Sequence, residues 1–99
     1  MKTDIYQKIE SDFKEDKDLA LREIDILEAK TKGLIGDRLL RAMVYLANGD
    51  INEFKAMIKL SEIDYRDLLW QAEYECTEER KRDFNKSFHE LGLIKKDGT

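Results

Sequence analysis

Leu39-Leu40-Arg41-Ala42-Met43-Val44-Tyr45-Leu46-Ala47-Asn48-Gly49-Asp50-Ile51-Asn52-Glu53-Phe54-Lys55-Ala56-Met57-Ile58 is the stretch that decides the fold. Its first half carries Leu39, Leu40, Met43, Val44, Leu46 and Ala47 on one broad arc at helical spacing, wide enough for the central helix of a bundle. Asn48-Gly49-Asp50 then punctuates the chain. Gly49 stops one helix, Asp50 caps the next, and Glu53 stands three residues on, as a capping box requires. Ile51, Phe54, Met57, Ile58 and Leu60 resume the 3.6-residue period on a second helix. Two apolar helices joined by so short a turn pack antiparallel, and the rest of the chain must cover their remaining faces.

Working outward from this hairpin, the same alternation recurs. Asp4 and Gln7 have capping-box spacing ahead of Ile5, Ile9 and Phe13. The charged run Lys14 to Asp18 breaks the pattern, with Asp16 or Asp18 to cap a second helix. That helix bears Ala20, Ile24 and Leu27, flanked by Leu19, Leu21 and Ile26, and ends at Lys30 to Gly33. Leu34 and Ile35 read as a loop that plugs the core, and Asp37 starts the central helix. On the other side, Ile63 reads as a hydrophobic staple before the N-cap Asp64. Tyr65, Leu68, Leu69 and Ala72 form the stripe of a fifth helix to about Glu75. Thr77 is expected to cap a sixth helix with Phe84, Phe88 and Leu91, ended by Gly92. Leu93 and Ile94 then tuck back, and residues 95–99 read as a frayed tail. The expectation is an all-α fold over residues 1–99: a single helical domain, a compact bundle or α-hairpin stack of five or six short helices.

Composition agrees. Apolar residues make up 41% and charged residues 40% of the chain, against about 25% charged in average globular proteins. Short amphipathic helices, each with a charged outer face, account for the excess. Proline is absent and only five glycines occur, which disfavours the many turns of a sandwich or barrel.

Two segments resemble known patterns. Leu46-Ala47-Asn48-Gly49-Asp50 to Ile58 resembles the inter-helix turn of an ankyrin repeat. The Thr-Pro-Leu-His signature and a second copy 33 residues away are both absent, and an ordinary Gly-Asp turn accounts for the match. Arg38 to Asp50, followed by Ile63 to Trp70 and Ala72-Glu73-Tyr74, resembles a pattern of small uncharacterised bacterial helical proteins. That resemblance implies a natural helical fold over the middle of the chain and no particular activity.

Several function classes are disfavoured. Each half of the chain carries nine Lys/Arg and eleven Asp/Glu, so neither is a basic lobe for a phosphate backbone, and no nucleic-acid partner is expected. A helix-turn-helix reading of the fourth and fifth helices fails on Asp67, Glu73 and Glu75 against one Arg66. Arg80-Lys81-Arg82 and Lys86, among Glu78, Glu79 and Asp83, read as a solvated face. The longest apolar run, Ala42 to Ala47, is far below the roughly 20 residues of a membrane span, and no membrane partner is expected. The lone cysteine and the lack of an apolar leader suggest the cytoplasm.

Neither cofactor nor metal is expected. One His and one Cys cannot make a structural zinc site, and no glycine cluster cradles phosphate. Cys76 reads as a small hydrophobe near a helix end and His89 as a capping or surface residue; no catalytic residue is assigned. The distinctive segment is Asp64 to Tyr74. Arg66, Trp70, Glu73 and Tyr74 fall near one another at i, i+4, i+7 and i+8, with Arg66 placed to stack on Trp70. Two readings stay open. Trp70 completes the core and the charges are helix-end preferences, or the four residues form a contact surface, since Trp, Tyr and Arg dominate interface hot spots. The working expectation is a protein–protein interaction module, with another protein or a second copy as partner. The alternative is a small-ligand site or enzyme pocket near Tyr65 and Arg66.

Overall fold

The computed structural model describes residues 1–94; the tail expected at 95–99 lies outside them. Four α-helices follow in order: α1 (Thr3–Phe13), α2 (Lys17–Thr31), α3 (Asp37–Ala47) and α4 (Ile51–Leu69). A 3₁₀ turn (Lys14–Asp16) joins α1 to α2, and a π turn (Trp70–Tyr74) extends α4. No strand occurs among the described residues. The fold is all-helical, with fewer helices than the expected five or six.

The central hairpin forms as its sequence dictates. The α3–α4 pair is the most extensive helix contact, and Leu40, Met43, Val44, Ala47, Phe54 and Ile58 are buried within it. Asn48 and Gly49 take positive φ, and the Asp50 carboxylate accepts from the backbone N–H of Asn52 and Glu53 (2.8 and 3.2 Å). Ile5, Ile9 and Phe13 of α1 and Ala20, Ile24 and Leu27 of α2 close the core. Phe13 meets Phe54 with ring centroids 5.3 Å apart.

The break after α1 is present, but Asp16 makes no side-chain cap. Asp4 lies inside α1 rather than at its cap, and its carboxylate is used elsewhere (below). Leu34 and Ile63 are 85% and 77% exposed, so neither plugs nor staples; of the pair in that loop, only Ile35 packs against the core. Leu19 and Ile26, read as widening the inner stripe of α2, point outward.

The expected fourth and fifth helices are both present but run together. Asp64, at φ −155° and ψ 90°, makes a kink within α4. Its carboxylate accepts from the N–H of Arg66 and Asp67 (3.1 and 3.3 Å), so it caps the second limb as its sequence position suggests. The expected sixth helix is absent. Residues 75–94 form a strap of turns whose Phe84 and Phe88 are nonetheless buried. Thr77 caps nothing: its hydroxyl donates to the carbonyls of Tyr74 and Glu79. Ser87 and Glu90 make a reciprocal capping box, Ser87 N–H to Glu90 Oε1 at 3.0 Å and Glu90 N–H to Ser87 Oγ at 3.1 Å. It starts a single turn, which ends where Gly92 and Leu93 donate back to His89 and Phe88.

Candidate functional site

Four arginines and two buried carboxylates hold the strap, and they decide where the sequence-derived site residues stand. A buried segment without regular structure must find partners for its backbone polar groups. Glu73, in the π turn, is completely buried. Its Oε2 accepts from the Phe84 N–H (2.8 Å) and Arg38 Nε (3.1 Å), and its Oε1 from Arg38 Nη2 (2.5 Å) and Arg80 Nη2 (3.0 Å). Its own carbonyl accepts from Lys81 and Arg82 N–H.

Asp4 repeats the device on α1. Both of its oxygens accept from Arg41 of α3 (2.9 and 3.0 Å), and Oδ2 also accepts from the Phe88 N–H (2.9 Å). Arg41 is itself buried and donates on to the Phe84 carbonyl (3.0 Å). Arg82 lies over the Tyr45 ring, 4.8 Å from its centroid, and reaches the Ala72 carbonyl and Glu75. Among the described residues, no buried side-chain nitrogen or oxygen lacks a partner.

The electrostatics follow from this geometry. Burial by itself raises a carboxyl pKa. At Asp4, the Arg41 bonds, the Phe88 N–H and the Arg41 charge outweigh burial, and the group titrates below its ordinary value. At Glu73, the Arg38 bonds, the Phe84 N–H and the charges of Arg38 and Arg80 do the same. Arg41 and Arg38 are raised in turn, first by their bonds to Asp4 and Glu73. These are carboxylates stabilised in the charged form, with both oxygens of each directed at protein donors, which suits holding a chain in place.

Of the four residues expected to share a surface, one leaves it. Glu73 points into the protein and belongs to the buried clamp. Arg66 and Trp70 are exposed, and Tyr74 is half-buried. Arg66 does not stack on Trp70; its guanidinium lies 5.9 Å from the centroid of the Tyr65 ring, which is also exposed. Trp70 is 46% exposed, and its indole N–H donates to the Thr77 carbonyl (3.1 Å). Trp70, Tyr74, Cys76, Thr77 and Glu78 line a shallow concavity there. Tyr65 and Arg66, the expected centre of a ligand site, do not line it.

Arg80, Lys81 and Lys86 are exposed, as a solvated face requires, but Arg80 also reaches the buried Glu73 and Arg82 the Ala72 carbonyl, so both arginines hold the strap as well. Cys76, read as a small hydrophobe, is exposed. His89 Nε2 lies 2.6 Å from Gln7 Oε1 on the surface. Sequence reasoning took Asp4 for a helix cap and gave Arg38 and Arg41 no role of their own. The available signal was a charged residue inside an apolar arc, Arg41 between Leu40 and Ala42. Among the described residues, no three His, Cys, Asp or Glu side chains are grouped to hold a metal, and no helix is long and apolar enough to cross a membrane.

In comparison with known proteins, no family model, no curated protein and no solved structure matches the chain.

Proposed function

We propose that the protein is an interaction module that binds another protein through the outer side of the second limb of α4, with Trp70 as the anchor. The observation that carries this reading is the half-exposed indole of Trp70, tied by its N–H to the Thr77 carbonyl. An aromatic ring held in place before contact loses little conformational entropy on binding, and Trp and Arg are the side chains that most often dominate interface energies. Arg66, one turn before Trp70, and Tyr65 are exposed on the limb of α4 that leads into the π turn. Glu73, once grouped with them, acts from below by fixing the π turn that carries Trp70.

The test is capture of binding proteins from the native lysate with wild-type, Trp70→Ala and Arg66→Glu baits. A partner retained by the wild type and lost with both variants, each folded by circular dichroism, supports the reading. A partner retained by both removes this surface from consideration.

A further inference from the structure

The outward face of α2 carries a second, separate pattern. Leu19 and Ile26 are 46% and 49% exposed and stand seven residues apart, two turns along one line of the helix. Arg22 and Glu23 lie between them, one on each side of that line. Leu19, Arg22, Glu23 and Ile26 thus occupy i, i+3, i+4 and i+7, the four positions that surround a helix crossing.

The two flanks of this diamond differ in charge. On the Arg22 side stand the exposed Asp18 and Asp25. On the Glu23 side, Lys30 and, from the neighbouring α4, Lys55 and Lys59 stand with the carboxylates of Glu23 and Glu62, three cations to two carboxylates, against one cation to two carboxylates on the Arg22 side. The Glu23–Lys55 and Lys30–Glu62 ion pairs (3.9 and 3.3 Å) set residues 55–62 of α4 alongside residues 23–30 of α2. Lys59 is therefore level with Ile26, on the opposite flank from Asp25.

We propose that this face binds a second copy of the chain, with the two α2 helices side by side and parallel across a two-fold axis. The charges choose the orientation. An axis running along the helices brings the acidic flank of one copy to the basic flank of the other, twice, and sets Arg22 against Glu23 of the second copy. An axis across the helices would set acid against acid and Arg22 against Arg22. Leu19 and Ile26 supply the apolar centre, meeting their own counterparts. This interface is distinct from the Trp70 surface and does not depend on it. One helix face buries less than the roughly 1,600 Å² of a standard interface, so dissociation constants on the order of 10–100 µM are expected.

Sedimentation equilibrium from about 10 µM to 1 mM, a range that brackets this affinity, is the test. The wild-type mass is expected to rise from 11.7 kDa toward twice that value. Ile26→Asp, a surface change that leaves helicity and melting intact, is expected to weaken association at least about tenfold. Asp25→Lys is expected to weaken it as well, and Asp25→Lys combined with Lys59→Asp to recover most of the loss. A monomer at 1 mM overturns the proposal, as does a dimer indifferent to Ile26→Asp. A dimer unchanged by Asp25→Lys overturns the parallel arrangement. A dimer abolished by Trp70→Ala but not by Ile26→Asp places self-association on the Trp70 surface instead.

Discussion

Among the described glycines, Gly49 has the least freedom to change. Its φ is +84°, and a Cβ built there would lie 2.4 Å from the Asp12 carbonyl oxygen and 3.1 Å from the Asp12 carbonyl carbon. The α3–α4 turn therefore presses its backbone against the end of α1. Gly33, at φ +75°, has nothing within 4 Å of such a Cβ. The pair separates two costs. Gly33→Ala bears only the left-handed backbone, about 1 kcal/mol. Gly49→Ala adds a backbone collision that only movement of α1 can relieve, and its loss is expected to reach about 3 kcal/mol or more. Urea unfolding of the two variants measures the difference. Glu73 gives a second comparison. Glu73→Gln keeps the shape and an acceptor for the Phe84 N–H, but presents Arg38 and Arg80 with a neutral amide. Both arginines are about one-third exposed and can turn to water. The expected loss is thus about 1–3 kcal/mol, below the roughly 3–5 kcal/mol of breaking a fully buried pair.

Among the elements, the strap is held differently from the helices. The helices satisfy their own backbone groups, whereas Phe84 and Phe88 donate to carboxylates on the π turn and α1. Their two buried rings, 6.0 Å apart, contribute roughly 1.5–3 kcal/mol each, and the clamps supply the direction. Asp4→Asn removes the charge that Arg41 and the Phe88 N–H share. Hydrogen exchange is expected to quicken first at residues 84–92, with the α3–α4 core still protected. Uniform loss of protection across all elements would show that the strap has no separate opening. This also explains what could be read beforehand. The Asn48-Gly49-Asp50 turn, the Asp64 cap and the apolar faces of α3 and the first limb of α4 rest on local signals, and they are visible in the sequence. The strap does not rest on them. Phe84, Phe88 and Leu91 have helical spacing, yet Glu73 and Asp4 capture the backbone of 84 and 88 from 11 and 84 residues away. A tertiary contact at that separation leaves no periodic mark. The Ser87-Glu90 capping box starts one turn only. Glu73 departs from the candidate surface for the same reason: i, i+4, i+7 spacing placed it beside Trp70, while the π turn and two arginines from elsewhere turn its carboxylate inward.

At the scale of the whole molecule, the clamps make stability depend on pH in a defined place. Among the described residues, four carboxylates are held below their ordinary values: Asp4, Glu73, Asp83 and Glu90. Each accepts a backbone N–H from the strap, those of Phe88, Phe84, Asn85 and Ser87 in that order. At Asp83 and Glu90 that backbone bond is the leading cause of the shift. A carboxylate depressed in the folded state leaves the unfolded chain with more bound protons, so stability rises with pH. The contribution is complete above the ordinary values of 3.8 for Asp and 4.5 for Glu. It is lost as pH falls through the lower folded values. Urea midpoints should therefore be nearly level from about pH 7 to 5.5 and drop below about pH 4.5. The 18 Lys and Arg, left without balancing carboxylates, add self-repulsion in the same direction. Since all four groups converge on residues 84–88, acid should release the strap before the helices. Near pH 4, exchange should rise at 84–92 while far-UV circular dichroism holds. Asp4→Asn should be less stable than the wild type at pH 7, and the gap should narrow as pH falls from 7 to below 3.8, because the wild-type carboxylate then gives up the charge that the variant never carries. A constant difference across that range would mean that Asp4 acts by shape and packing, and that the charge on its carboxylate contributes nothing to holding the strap.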